Sequence, residues 1–176
     1  QPPHAARPGG PVNAGARIAA EPLTAAAFAP FGEVIAPTGD FKRINAGLCR
    51  RYDDLATLDV AEGRPGVSLF QAALRAAPLV VDLMERHPLG AQLFLPMDGA
   101  DWLVVVAPDE DGAPGVPRAF RADGRRGVNI GRGVWHGVLA PLGGSGLFAV
   151  VDRIGPGPNL EEHPLDPPLT VTVDAA

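Results

Sequence analysis

Two stretches of the chain are apolar without interruption: Trp102–Ala107 (Trp-Leu-Val-Val-Val-Ala) and Leu147–Val151 (Leu-Phe-Ala-Val-Val). Continuous apolar runs of this length suit strands covered on both faces. One face would line a barrel and the other would meet a second sheet or a second subunit, which predicts a homodimer. Other short segments rich in β-branched or aromatic residues are Arg17–Leu23, Glu33–Ala36, Ser68–Ala73, Leu79–Arg86, Ala91–Pro96, Arg118–Arg121, Gly127–Ile130, Gly133–Leu139 and Leu169–Val173. Gly, Pro and Asp punctuate them roughly every 8–12 residues, the cadence of an all-β sandwich or barrel. Lys42–Val60 reads as two extended arms around an Asn45-Ala46-Gly47 turn. A short helix is expected at Ala25–Phe31, with Thr24 as its N-cap and Gly32 as its stop. A second helix over Ala76–Glu85 is the only other one the pattern allows, and the β-branched pair Val80-Val81 makes strand the preferred reading there. Many short strands with one or two short helices predict an all-β fold closed into a jelly-roll barrel, since closure removes the exposed sheet edges.

The 176 residues fit one domain. Residues 1–15 are rich in Pro and Gly without periodicity and are expected to form a poorly ordered arm, leaving residues 16–176 as a single barrel domain. At 46% hydrophobic and 20% charged the chain can bury a real core. The net charge of −5 argues against a nucleic-acid partner, which would need a basic face. It does not argue against a small anion, because a few local arginines can dominate a pocket. Lys42 is the only lysine beside a majority of arginines, a bias expected of a GC-rich genome. Cys49 stands alone, so no internal disulfide can form and a reducing, cytoplasmic setting is expected. No apolar run reaches the ~18 residues of a membrane span, and no charged region followed by an apolar stretch suggests a secretory signal.

Chemistry concentrates in two places. The first is Glu85-Arg86-His87-Pro88-Leu89-Gly90-Ala91-Gln92, leading on to Gly99. Residues two apart on a strand share a face, so Glu85 and His87 point one way and Arg86 the other. After the Pro-Leu-Gly turn, Gln92 begins the return strand and can face back toward them. The second is Gly131-Arg132-Gly133-Val134-Trp135-His136, a glycine-rich turn running straight into a histidine. Two readings remain open. Glu85, His87, Gln92 and His136 could supply N and O donors to a divalent ion such as nickel, manganese or zinc. Without a metal, the same side chains could serve as acid, base and hydrogen-bond partners of a substrate. No organic cofactor is expected.

The two segments resemble the paired motifs of the cupin superfamily, G-x5-H-x-H-x(3,4)-E-x6-G and P-x-G-x2-H. Here Glu85-x-His87-x4-Gln92-x6-Gly99 and Gly131-x-Gly133-x2-His136 keep the spacing, with Glu in place of the first His and Gln in place of the Glu. A narrower resemblance runs from about Leu23 to Glu162. Phe31-Gly32-Glu33-Val34-Ile35, Ile44-Asn45-Ala46-Gly47-Leu48, Arg51-Tyr52-Asp53-Asp54-Leu55-Ala56, Glu85-Arg86-His87-Pro88-Leu89-Gly90, Phe94-Leu95-Pro96-Met97, Gly127-Val128-Asn129 and Val134-Trp135-His136 are similar to the ureidoglycolate lyase family. That resemblance implies a homodimeric cupin-like barrel acting in purine (allantoin) breakdown, where ureidoglycolate is split into glyoxylate and urea. The departures are the Pro/Gly arm, the tail after about Asp152, and glycines at 131 and 133. On this reading His87 and His136 do acid–base or metal duty with Glu85 as carboxylate partner. Asn45 and Gln92 hydrogen-bond the ureido group or hydroxyl, and Arg51 with Tyr52 holds the substrate carboxylate. Alternatives of other classes are a non-catalytic cupin sensor for a small carboxylate such as glyoxylate, and another metal-dependent cupin enzyme. Asp152-Arg153, at the end of an apolar strand, is expected to form a buried or interface ion pair.

Overall fold

The computed structural model describes residues 15–174, so the expected arm over residues 1–15 lies almost wholly outside them. The elements run in the order β1 (Arg17–Pro22), α1 (Ala25–Phe28), β2 (Gly32–Ile35), β3 (Lys42–Ile44), β4 (Cys49–Arg51), β5 (Arg64–Gln71), β6 (Leu79–Arg86), β7 (Gln92–Pro96) and β8 (Trp102–Ala107). There follow β9 (Asp109–Glu110), β10 (Ala113–Pro114), β11 (Arg118–Ala122), β12 (Gly127–Ile130), β13 (Trp135–Gly137), β14 (Ala140–Pro141), β15 (Leu147–Ile154) and β16 (Glu161–Thr172). One sheet runs β11-β1-β16-β6-β13-β8-β14, and the further pairing of β8 with β11 closes its first six strands into a barrel. β1 runs parallel to both its neighbours and the other pairs are antiparallel. A five-stranded sheet, β2-β12-β7-β15-β5, covers one side of that barrel.

The alternation along β8 shows why an unbroken apolar strand is required here. Leu103, Val105 and Ala107 face the barrel interior, packed with Leu79, Val81, Met84, Trp135, Leu169 and Val171. Trp102, Val104 and Val106 face the other way, into a core shared with Phe28, Phe94, Phe120, Val128, Phe148 and Val150. β8 is therefore the wall between two cores, and its second cover is a sheet of the same chain. Phe28 and Phe31 meet Phe120 edge-on at 5.4 and 6.2 Å in the second core, an arrangement favoured by the ring quadrupole.

The all-β barrel is the fold the strand cadence predicts, and within the 76–85 segment strand rather than helix forms, from Leu79 onward. Several details differ. The helix stops at Phe28 instead of Phe31, although Thr24 caps it as expected, its Oγ1 accepting from the Ala27 N–H at 3.1 Å. The second arm of the 42–60 hairpin ends at Arg51. Asp54 has a φ of 51°, a left-handed conformation that breaks an extended run, and only Val60 regains a bridge, to Gly90. The last strand begins eight residues earlier than expected. Its pairing with β6 is interrupted between Pro164 and Leu169, which lets Pro167 and Pro168 sit where no ladder donor is required. The two-residue strands β9, β10 and β14 are too short to leave a periodic signature.

Candidate functional site

β6 changes its facing partway along. Leu79 and Val81 point into the barrel, and the next residue to do so is Met84, so one residue is skipped beside the interruption in β16. A bulge of this kind re-aims every side chain beyond it. As a result Glu85 and His87 turn out of the barrel toward the covering sheet, as the two-residue spacing predicts they should do together. β13 then places His136 directly opposite Glu85 on one side and opposite Val106 on the other. From the covering sheet, Gln92 heads β7 and faces back.

These side chains converge. Donor atoms of Glu85, His87 and His136 all lie within 4.8 Å of one another, and the two imidazole rings stand 5.2 Å apart. His87 Nδ1 is 2.7 Å from the Asn159 carbonyl and His136 Nδ1 is 3.1 Å from that of Gly137. A carbonyl only accepts, so each Nδ1 donates, and in the neutral ring this tautomer places the lone pair on Nε2. Both Nε2 atoms are buried without a partner, as is Gln92 Oε1. Gln92 is fixed from the other end, its Nε2 donating to Asp152 at 3.1 Å. A cavity of about 120 Å³ adjoins His136 and Gln92, with Phe70, Phe94, Trp102 and Ile130 in its apolar wall.

Burial holds the His136 imidazole down at about 4, with the nearby His87 adding to the effect and the Gly137 carbonyl opposing it. His136 is therefore a neutral ring with an available lone pair at ordinary pH. Below its unfolded value of 6.5 the unfolded chain takes up a proton that the fold excludes. The contribution is complete above 6.5 and is lost as pH falls toward 4, a swing of about 3 kcal/mol. Urea unfolding at stepped pH is expected to show this slope in the parent and a flatter one in His136→Gln.

The arrangement fits a divalent ion. Two histidines with Nδ1–H on backbone carbonyls and bare, converging Nε2 atoms form the usual outer support of metal-held imidazoles, and a carboxylate completes the triad. Equally, a pair of imidazoles beside a carboxylate is suited to moving protons.

The other sequence-predicted residues lie elsewhere. Asn45, Arg51 and Tyr52 belong to the β3–β4 hairpin region, and that hairpin pairs with neither large sheet. Arg51 pairs with Asp53 at 2.5 Å, and Lys42 does so at 2.8 Å. Tyr52 packs on Phe41 at 5.7 Å. None of the three lines the cavity beside His136. Asp152 and Arg153 do not pair with each other as expected, because adjacent strand residues face opposite ways. Asp152 turns inward to Gln92, while the Arg153 guanidinium is taken up by the carbonyls of Ala61, Glu62 and Pro156. Two residues that support the site were not read as part of it. Asp152 could have been found by counting strand parity from Val150, a core residue on the same face. Asn159, which accepts from His87 and through its Oδ1 from the Leu89 N–H at 2.7 Å, sits in a Pro-Gly turn with no sequence signal of a site.

A family model described as ureidoglycolate lyase matches residues 15–172, a range that includes every string on which the resemblance was drawn. Among curated proteins, the chain is 60% identical over 157 residues to a ureidoglycolate lyase of Rhodobacter capsulatus, covering 88% of this chain and 98% of the relative. It is 50% identical over 154 residues to ureidoglycolate lyase 2 of Rhizobium meliloti, covering 85% and 94%. A ureidoglycolate lyase of a Chelativorans species is 49% identical over 149 residues, covering 83% and 90%. Among solved structures, a dTDP sugar isomerase from Desulfovibrio desulfuricans superposes with a TM-score of 0.43 at 22% identity, over 78% of this chain and 87% of that one.

Proposed function

The chain belongs to the ureidoglycolate lyase family, and from that premise we propose that it splits ureidoglycolate into glyoxylate and urea by acid–base-assisted cleavage of a carbon–nitrogen bond. The observation that carries the residue assignment is the convergence of Glu85, His87 and His136, with both Nε2 atoms buried and unpartnered.

In the reaction the hydroxyl on the scissile carbon gives its proton to an imidazole Nε2. The oxygen's electron pair closes to a carbonyl, the carbon–nitrogen bond breaks, and the departing nitrogen takes up a proton as urea forms. His136, kept neutral by burial, is ready to accept, and His87 is the second imidazole of the pair. Glu85 beside them favours the imidazolium when it forms. Gln92, with its amide N–H₂ tied to Asp152, offers Oε1 to a ureido N–H. A second reading rests on the same triad. Glu85, His87 and His136, with Gln92 as a further donor, would hold a divalent ion such as nickel, manganese or zinc. A bound ion would supply Lewis acidity at the substrate's oxygens and occupy the Nε2 lone pairs.

Incubation with racemic ureidoglycolate, with and without chelator and alongside metal analysis, tests both. Release of urea and glyoxylate supports the lyase reading, and neither product under either condition overturns it. Product lost only with chelator assigns the triad to the ion.

In this reading residues 16–176 act as one catalytic domain, in the cytoplasm, as a chain with a single cysteine suggests. No helix among the described residues is long and apolar enough to cross a membrane. The protein works as a homodimer, for which the outer face of the covering sheet is the surface. There Val67 and Leu69 are 76% and 62% exposed, beside half-buried Leu95, Ala149 and Val151 in register with them. Val67→Asp with Leu69→Asp is expected to convert a dimer to a monomer in light scattering after size exclusion; an unchanged mass sinks this choice of face. The triad and the cavity wall contain no arginine or lysine, so the substrate carboxylate needs a cation from outside them. Arg51, with Tyr52 and Asn45, would supply that contact from the projecting hairpin across the subunit boundary.

A further inference from the structure

The two strands that carry the triad also carry, on their opposite face, a fully engaged polar clasp. Arg86 lies between Glu85 and His87, and Trp135 immediately precedes His136. On strands, such neighbours point away from the site. There the Arg86 guanidinium carbon stands 4.7 Å from the centre of the Trp135 ring. One oxygen, Asp109 Oδ1, accepts from both: from Arg86 Nη1 at 2.6 Å and from Trp135 Nε1 at 2.9 Å. Arg86 Nε pairs with Glu161 Oε2 at 2.5 Å, tying in the strand on the far side of β6. His163 meets the Trp135 ring edge-on at 5.8 Å. Trp135 is buried and the Arg86 side chain is only 17% exposed, while Asp109 and Glu161 are 39% and 46% exposed, so the two donors are shielded and the carboxylates meet them at the barrel's rim. Loss of the Asp109 carboxylate would leave the buried Trp135 N–H and the shielded guanidinium short of an acceptor, which is costly. Asp109 itself sits on the tight β9–β10 hairpin, whose turn uses left-handed Asp111 and Gly112.

We propose that Asp109 is a positioning residue: through Arg86 and Trp135 it locks the backbones of residues 85–87 and 135–136 to each other and thereby holds the converging Nε2 atoms in place. The proposal rests on the reading of Glu85, His87 and His136 as the working site. Nothing in the clasp touches that site's cavity, so its influence passes through the two strands. The physical logic is that of any outer support: a side chain held to a fraction of an ångström needs its backbone held equally well.

A matched control exists on the other side of the barrel. Arg118 forks onto Glu21 at 2.6 and 3.1 Å and lies 5.1 Å over Phe120, which is the same chemistry on strands that carry none of the triad. Asp109→Ala and Glu21→Ala are compared by thermal melting, by ureidoglycolate kinetics, and by long-range ¹⁵N–¹H spectra of the histidine rings. The rings are read without substrate and after chelator treatment. Both variants are expected to lose similar thermal stability. Asp109→Ala alone is expected to lower kcat by about tenfold with KM within about twofold, and to shift or broaden the His87 and His136 ring signals away from a single Nδ1–H tautomer. Asp109→Asn, which keeps an acceptor for Trp135, should recover part of both. Should Asp109→Ala fail to fold, Arg86→Lys removes the flat stack while keeping the charge and carries the same expectations. Ring spectra and kcat indistinguishable between the Asp109 (or Arg86) and Glu21 variants overturn the proposal. A parent protein that releases no urea defeats the lyase reading instead, while the ring spectra still decide the clasp.

Discussion

His136→Ala is expected to lower the turnover of ureidoglycolate by about 10³, and His87→Ala by about 10² or more, with the fold intact in both. The two rings differ in how they are held. His136 is enclosed, with Phe94 edge-on at 6.4 Å and an apolar cavity wall at its flank, so a water standing in for its Nε2 would find few polar partners to hold it. His87 sits at the end of β6 on the Asn159 turn, where a water molecule could partly substitute. The larger loss should therefore fall on His136. The loss should appear in kcat, since neither ring is assigned to the substrate carboxylate. Circular dichroism and melting are the necessary companions, and His136→Ala should also lose the acid sensitivity of stability that the parent shows between pH 6.5 and 4. Turnover within a few-fold of the parent in both variants would remove these residues from the chemistry.

Trp102→Ala is expected to cost about 3–5 kcal/mol of stability, a large share of what a domain of this size has. The indole is 1% exposed, packs edge-on against Phe148 at 5.0 Å and donates from Nε1 to the Arg126 carbonyl at 3.1 Å. Its loss opens a void and orphans an acceptor together. Because Trp102 also forms part of the cavity wall beside His136, the effect reaches the site. Water entering the void relieves the desolvation that keeps His136 near 4, and its titration should move up toward the ordinary 6.5. Denaturant melts give the first effect and NMR titration of the ring gives the second. A stable variant with an unmoved ring would mean that the wall is not what shields the histidine.

Much of this was legible in the chain. The strand cadence gave the fold class, and the unbroken run of β8 announced a strand with cores on both sides. Parity placed Glu85 and His87 together, and the glycine turn before His136 brought the second histidine to them. What was not legible has physical causes. Arg153 and Asp152 were read as a pair because adjacency in sequence resembles proximity, yet a pleated strand sends neighbours to opposite faces. The early half of β16 was hidden by Pro164, Pro167 and Pro168, residues that normally exclude a ladder and are accommodated here by an interruption in it. Asn159 and Asp109 act through a carbonyl and a single carboxylate oxygen on short turns, and no periodicity marks such positions. The hairpin residues Asn45, Arg51 and Tyr52 follow from family likeness, and the geometry of one chain leaves them apart from the triad.

The skipped residue in β6 makes the site a matter of counting. Upstream of it odd-numbered side chains fill the barrel, and downstream odd-numbered side chains meet the covering sheet. Deleting Asp82 or Leu83 would remove the extra residue itself, and plain alternation from Val81 would still carry Met84 inward and Glu85 and His87 toward the covering sheet. A single-residue deletion in the straight part of the strand, with the bulge kept, would instead exchange inward and outward side chains on one side of it. In the diversification of such barrels the bulge is therefore slack in the strand, a place where one residue can be lost without changing which side chains reach His136.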